Sequence, residues 1–591
     1  MNDEKAVSTG LIGVVSEDPG QVNRKLSRIK ALLGIIDKDF SILTGDFFAF
    51  CFFPATAEAV SFPVSLTLGS LLSDDLKAFS AHGLKIAFDS ERSFTLTTDP
   101  VGMLNLYRIV VDDILLLSTS SLLLAAIVPA LEFDERGWMD FLTIGYLSGS
   151  RTFYQGMDVL PGGVEISFAN GNLPNGNERI YWQTPRERIS GRQAITALKE
   201  SSLAAAEAVS SFSHSCCDLT GGYDSRGIFA MFLGSGHSFD TVVNGISGSG
   251  DVVVAEEIAQ AFAIPLHHND TTRIFPPDRY DEVVKIIELT DGEIDVGEYY
   301  LPATVHQRTL ALGMTTVNGS GGELFRGYWW EGQAREEYGD NKINLDFLVS
   351  RILVPGQDFS IYRIPRREIE LALAHQLRQI VDAADFDGGA LRQIDWLYLR
   401  LRMSRWAARF YSSTVKIIPC FSPYLFAPLL EIAFSVESHE KMKNRFFIEW
   451  LKEMNPKLAR LPLESGRPAI PFSLQNMFLF RRMPKKFAGK VAGKLFRILT
   501  SRVQLPGGGA GEGPSPFIET VLNHYGANEF FSRGEMVTGA LYDEGRLEKL
   551  AVSRIGELEK SIPGGQLSRL FTLEVTMRHL LDLRKKIAEF S

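Results

Sequence analysis

Several things are scarce in this chain, and each scarcity excludes something. Four cysteines, Cys51, Cys216, Cys217 and Cys420, stand among 591 residues, without C-x-x-C spacing and far below the density of a disulfide scaffold, so buried free thiols are expected. No G-x-x-x-x-G-K-[ST] string occurs, which removes the phosphate loop of kinases and GTPases. Basic residues are the minority, 61 Lys plus Arg against 71 Asp plus Glu, and the net charge of −10 argues against nucleic acid as a partner. Long apolar runs are also missing. The most apolar window, Ile109 to Leu131, is broken by Asp112 and Asp113 and by the cluster Ser118 to Ser121, and reads as strand, turn and helix rather than a membrane span. The start, Met1 to Gly10, mixes acids with Lys5 and leads into no long apolar core, so it reads as no secretory leader and a cytoplasmic location is expected.

What is present is an ordinary globular balance, 45% hydrophobic and 22% charged, over a length that predicts two or three packed domains. Up to about Asn170 short apolar runs alternate with turns, as in Asp46 to Phe53, Ser93 to Thr98 and Asp113 to Ser118, and predict a strand-rich first domain. The stretch Leu173 to Arg188 carries Pro, Gly and Asn and reads as a linker, with a boundary near residue 185. Beyond it Gln193 to Ser210 has helical periodicity, and apolar runs then alternate with helical patterns, which favours a parallel α/β sheet. From Arg367 helix dominates, interrupted by the glycine-rich run Pro506 to Pro516. The domains are therefore read as 1–185, 186–475 and a helical extension 476–591.

Chemistry concentrates where strands are predicted to end in glycine. Cys217 to Met231 (CDLTGGYDSRGIFAM) reads as strand, tight turn and helix. Gly221 and Gly222 let backbone N–H groups approach an anion, the helix N-terminus adds partial positive charge, and Thr220 and Ser225 add hydroxyls, a combination suited to pyrophosphate. Asp218 lies at the same strand end and is expected to border the nucleotide, and Asp224 beside the hydroxyls reads as a ligand for Mg²⁺, since a bare carboxylate would repel phosphate. Val242 to Asp251 (VVNGISGSGD) again runs from strand to glycine, with Asn244 and Gly245 able to meet a purine through backbone groups. Thr315 to Trp330 (TTVNGSGGELFRGYWW) does the same, with Asn318 and Gly319 at the turn and Glu323 at the opening of a predicted helix. Ligands collect outside the carboxyl ends of parallel strands, so three such turns point to one shared crevice.

Thr220-Gly-Gly-Tyr-Asp-Ser225 resembles the S-G-G-x-D-S pyrophosphate loop of asparagine synthetase-like enzymes. Asn318 to Tyr328 resembles their S-G-E-G-x-D-E-L-F-G-G-Y segment, and Ser247 to His268 the stretch ending in His-His. In the first domain Asp99 to Tyr107 resembles D-x-x-G-x-x-P-L-Y, and Gly145 to Gly163 the G-Y-L…L-P-x-G stretch of the glutaminase domain, so the likeness spans roughly residues 9 to 475. The resemblance implies an N-terminal glutaminase-like (Ntn-type) β-rich sandwich followed by a pyrophosphatase-type (PP-loop) parallel-sheet synthetase domain. It also implies a ligase that uses ATP and Mg²⁺ to adenylate a small-molecule, glycan or peptide carboxylate, releases pyrophosphate, and passes the acyl group to an amine.

The departures are informative. Glutamine-using members need an N-terminal cysteine, whereas Thr9-Gly-Leu-Ile-Gly13 places an internal threonine there, so the first domain is expected not to hydrolyse glutamine and the amine to be ammonia or a substrate group. The family's Asp-Glu pair is reduced to Glu323 after Gly321 and Gly322, so the resemblance implies that Glu323 takes the catalytic and metal-binding role. After Lys441 to Arg445 and Leu461-Pro462 the cation expected as lysine is Arg467, which holds phosphate oxygens in pairs but does not donate a proton as lysine does. Cysteine-less relatives include lasso-peptide macrolactam synthetases, β-lactam synthetases and enzymes that amidate glycan uronic acids. A catalytically silent nucleotide-binding scaffold is the alternative from another class. Arg481 to Arg502 holds eight Lys or Arg and no acid, with apolar residues interleaved, and reads as a basic face able to cradle phosphates or touch an anionic membrane.

Overall fold

The computed structural model describes residues 10–54, 63–71, 81–330, 343–384, 389–470, 517–532, 534–553, 557–558 and 562–590. Thr9, the basic run 481–502 and the glycine-rich run 506–516 lie outside the described residues.

The first region is built from strands β1 (Gly10–Val15), β2 (Ser41–Thr44), β3 (Phe48–Phe53), β4 (Val64–Leu71), β5 (Ala81–Ser90), β6 (Ser93–Thr98), β7 (Tyr107–Val111), β8 (Ile114–Ser118), β9 (Asp158–Val159), β10 (Val164–Ala169) and β11 (Asn177–Ile180). They form two antiparallel sheets, in the orders β2-β3-β1-β8-β7-β9 and β11-β10-β6-β5-β4. Strand β1 is apolar at successive positions because both its faces are covered. Leu11 and Val15 join the core between the sheets, and Ile12 and Val14 join the core beneath the helices. Phenylalanines fill the space between sheets, with Phe94 stacked on Phe168 at 4.8 Å and edge-on to Phe50 at 5.3 Å. Helices α1 (Pro19–Ile35), α2 (Ser121–Ile127) and α3 (Glu135–Ile144) cover the other face of the larger sheet. The window read as strand, turn and helix is β7, a turn at Asp112 and Asp113, β8 and α2, and both turn residues have positive φ, 51° and 60°.

A quarter of the stretch read as a linker is ordered as an edge strand. Asn177–Ile180 pairs antiparallel with Val164–Ser167 after a bend at Gly176, and all four of its residues are exposed, so no apolar alternation marked it.

Asp99 ties this region together. Its buried carboxylate accepts the N–H groups of Gly83, Val101, Gly102 and Met103 at 3.0, 3.0, 2.8 and 2.9 Å, and the turn it holds has positive φ at Gly102.

Helix α4 (Gly191–Phe212) opens the second region, close to the expected span. Strands β12 (Ser215–Asp218), β13 (Phe239–Gly245), β14 (Leu266–Asp270), β15 (Thr315–Val317) and β16 (Cys420–Phe421) follow, joined by α5 (Tyr223–Ser235), α6 (Gly250–Phe262), α7 (Tyr280–Thr290) and α8 (Val296–Ala311). All neighbouring strands are parallel and the order is β14-β13-β12-β15-β16. The chain therefore builds outward from β12 on one side, then returns to add β15 and β16 on the other. The order reverses between β12 and β15.

The two regions are pinned by buried polar contacts. Tyr107 donates to Glu293 at 2.9 Å, Ser121 to Glu293 at 2.6 Å and Ser120 to Asp291 at 2.5 Å, while Arg409 pairs with Asp291 at 3.0 Å. At the sheet edge Ser70 N–H donates to the Tyr411 hydroxyl at 2.8 Å and Ser422 N–H to His82 Nε2 at 3.1 Å, so β5 braces the end of β16. The C-terminal helix Gly564–Phe590 returns to the first region, where Arg584 donates to the carbonyls of Ala125 and Val128 at 2.7 and 2.5 Å. All four cysteines are buried and free. Among the described residues no helix is long and apolar enough to cross a membrane.

Candidate functional site

The reversal of strand order leaves a crevice at the carboxyl ends of β12 and β15, where parallel α/β sheets bind ligands. Asp218, Thr220 to Ser225, Asn318, Gly319 and Glu323 gather there. Leu219 to Gly222 turn β12 into α5, whose first residue follows Gly222 with no side-chain cap, leaving first-turn N–H groups for an acceptor. Within the turn, Thr220 N–H donates to Ser225 Oγ at 3.1 Å, the two hydroxyls lie 2.9 Å apart, and Gly222 N–H donates to Thr220 Oγ1 at 3.2 Å. Gly221 N–H donates to Asp251 Oδ1 at 2.7 Å, so an anion entering the loop would exchange with this carboxylate.

The β15 turn closes on the same loop. A Cβ on Gly319 would stand 2.9 Å from the backbone carbon of Asp224, and one on Gly322 would stand 2.3 Å from Asp224 Oδ1. Both glycines are required by this approach, since any side chain would displace the acid. Asn318 fixes the crossing. Its N–H donates to Phe421 O at 2.9 Å, and its Oδ1 accepts from Ser320 N–H and Ser422 Oγ at 3.0 and 2.8 Å. Gly321, with φ of 92°, leads into the 3₁₀ turn Gly322–Phe325 that carries Glu323. On the β13 side Asn244 is exposed and its Oδ1 accepts from Asn269 at 3.0 Å, while Gly245 O meets His268 Nε2 at 2.9 Å.

Asp224 is occupied by a residue that the sequence reading passed over. Arg326 holds it by two parallel bonds, Nε to Oδ1 at 2.9 Å and Nη2 to Oδ2 at 2.5 Å, with the rings of Tyr223 and Tyr328 5.4 and 5.5 Å from the guanidinium. Burial pushes the Asp224 carboxyl up to about 7, against the pull of Arg326 and with Glu323 adding to the rise. Burial alone would lower Arg326, but Asp224 and Glu323 reverse that and keep it charged. Among the described residues Glu323 Oε2 is buried without a partner, and burial together with the nearby Glu323 carboxylate pushes the Tyr398 hydroxyl up. Tyr398 opens a π-helical segment, Tyr398–Ala407, a form that recurs at functional sites.

These donors fit a hard cation only in part. Glu323 offers an oxygen with no protein partner, whereas both Asp224 oxygens are committed to Arg326. Among the described residues no group of three or more His, Cys, Asp or Glu side chains is gathered as a metal site.

Arg467 is exposed, on a turn where Leu463 N–H donates to its carbonyl at 2.8 Å. That turn is clamped to the loop. Glu464 N–H donates to Gly221 O at 3.1 Å, and the buried Arg226 donates to the carbonyls of Leu461 and Pro462 at 2.7 and 2.6 Å. The residues missed from sequence, Asp251, Arg326, Tyr398 and Glu464, come from separate elements. The only signal in the chain was Arg326 standing where the resembling motif has glycine.

No family model matches the chain, and no curated protein matches it. Among solved structures it is similar to glutamine phosphoribosylpyrophosphate amidotransferase from B. subtilis complexed with ADP and GMP, at 12% identity and a TM-score of 0.18, over 44% of this chain and 65% of that one. A second, described as the allosteric regulatory enzyme of purine biosynthesis, is similar at 9% identity and a TM-score of 0.20, over 46% of this chain and 82% of that one. The chain thus spans just under two thirds of the first, and likenesses this slight carry no argument about its fold or chemistry.

Proposed function

We propose that this protein is an ATP-dependent ligase that adenylates a carboxylate, releases pyrophosphate, and joins the acyl group to an amine. The observation that carries the reading is the meeting of the β12 and β15 glycine turns, at van der Waals distance or less for any added Cβ, beside the uncapped start of α5. Such a crevice suits a polyphosphate, and the chain has no other phosphate-loop signature.

In this reading Thr220, Ser225 and the first-turn N–H groups of α5 receive the departing diphosphate, and the N–H of Gly221 turns from Asp251 to a phosphate oxygen. Asn244 and Gly245 border the purine, and Asn318 and Gly319 hold the facing turn against the loop. The carboxylate oxygen attacks the α-phosphorus and pyrophosphate leaves. The amine nitrogen then attacks the acyl carbon and AMP leaves. Carboxylate alone is a poor electrophile, and adenylation supplies the leaving group. Arg326 and Arg467 are the chain's own cations for the phosphates. Mg²⁺, bound with the nucleotide, would offset the remaining charge, with Glu323 offering it an oxygen and Asp224 doing so only where Arg326 lets go. The first region serves as a wall to the site rather than as a glutaminase.

The test is pyrophosphate release from ATP with a panel of carboxylic acids plus hydroxylamine, expected for the wild type and absent in Asp224→Ala. One observation favours a second reading. The Arg326–Asp224 pair already neutralises the acid, as it would in a scaffold that binds nucleotide without turning it over. Silence across the panel with ATP still bound would select that reading.

A further inference from the structure

A cavity of about 240 Å³ lies at the carboxyl ends of the parallel strands, lined by Asp218 of β12, Asn318 beyond β15, His306 and Leu301 of α8, and Trp406 and Phe410. Met103 of the first region also lines it, so both halves of the molecule shape it. Among the described residues its lining contains no lysine or arginine, and Asp218 is its one carboxyl group. Burial, with no charged partner contributing, pushes Asp218 up to about 7. His306 is driven the other way by burial, to about 4, and its Nδ1 is buried with no partner among the described residues.

These features define what the cavity accepts. An anion entering it would meet an acid and no cation. A wholly apolar molecule would leave Asp218 and His306 unsatisfied. A primary ammonium satisfies the acid, and the neutral imidazole supplies a further hydrogen-bond site. A single ammonium ion, close to water in size at about 30 Å³, fills little of the space, and the Leu301, Trp406 and Phe410 surfaces call for a hydrocarbon body. Asp218 lies two residues before Thr220, and Asn318 one before Gly319, so the cavity adjoins the crevice where the acyl group would be activated.

We propose that this cavity is the subsite for the amine partner, a primary amine with a compact apolar body whose ammonium lies against Asp218. The assignment rests on the ligase reading for its role but makes a binding claim of its own. Calorimetric titration of the full chain with n-butylammonium, without ATP, should give saturable binding. Butyrate and 1-butanol should bind at least tenfold more weakly. Asp218→Asn, which keeps the side-chain shape, should weaken butylammonium at least tenfold, and Leu301→Trp, which fills the cavity, should abolish binding. Equal binding of butyrate and butylammonium, or no change in either variant, would overturn the subsite. Pyrophosphate release measured on the same samples separates the two ideas. Butylammonium binding that depends on Asp218, in a protein that never cleaves ATP, supports the subsite and sinks only the ligase reading.

Discussion

Two aspartates, each beside a glycine-rich turn, are used in opposite ways. Asp99 is wholly buried and meets four backbone N–H groups, from Gly83, Val101, Gly102 and Met103. Asp224 keeps 22% of its side chain exposed, and its carboxylate is bound by a mobile type of group, the guanidinium of Arg326. A carboxylate satisfied by fixed backbone donors has nothing left for a ligand and serves as a knot. One satisfied by a side chain can exchange its partner, because a rotamer change undoes the pair. The difference makes Asp99 a structural knot in the first region and leaves Asp224 of the second region able to change partner.

The comparison breaks most sharply by removing each acid. Asp99→Ala strands buried donors and should cost about 4 kcal/mol of stability, whereas Asp224→Asn, which retains acceptor capacity, should cost about 1–2 kcal/mol. Urea unfolding followed by circular dichroism measures both, and equal losses would erase the distinction. The glycines repeat the contrast. A Cβ at Gly162 would stand 2.2 Å from the Val101 carbonyl carbon, so Gly162→Ala should destabilise by about 3 kcal/mol as backbone yields to backbone. Gly322→Ala presses instead on the Asp224 carboxylate and should lower pyrophosphate release about a hundredfold at nearly unchanged stability.

A smaller effect tests the exchange itself. If Arg326 competes with a cation for Asp224, Arg326→Ala should tighten Mn²⁺ binding, read by water-proton relaxation, by about tenfold, equivalent to ~1.4 kcal/mol. Unchanged binding would mean that the acid is not available to metal in either form.

How far these arrangements were legible follows from the length scale of the signals. The β6 strand at Ser93–Thr98 and the β12 turn into α5 were readable because apolar runs and paired glycines are local. The exposed strand Asn177–Ile180 carried no apolar pattern and was read as linker. Of the site, Thr220, Gly221, Asp224 and Gly319 do converge, because parallel strand ends bring separate turns together. The partners that define their state do not announce themselves. Asp251 reaches Gly221 from a neighbouring helix, and Tyr398 reaches Glu323 from a π-helical segment. The pocket under Asp218 needs Met103 from the other half of the chain. Such contacts depend on tertiary placement, which periodicity does not encode.

The most specific effect concerns pH. The buried Asp218 carboxyl titrates near 7, above its unfolded value, so the folded state favours its protonated form and that contribution is lost as pH rises through 7. A cationic amine needs the deprotonated form. Butylammonium affinity should therefore rise by up to about tenfold per pH unit from 5 to 7 and flatten above, while Asp218→Asn stays flat. His306, held near 4 by burial, stays neutral over that range and adds no slope. A flat wild-type profile would remove Asp218 from the subsite.

In the proposed reaction the Thr220 to Ser225 turn grips the diphosphate of ATP. A structure of the full chain with the α,β-methylene analogue of ATP tests it most directly. The β- and γ-phosphates are expected against Thr220, Ser225 and the start of α5, with Gly221 N–H released from Asp251. A nucleotide seated elsewhere, or a turn that keeps the Gly221–Asp251 bond beside a bound analogue, would contradict it.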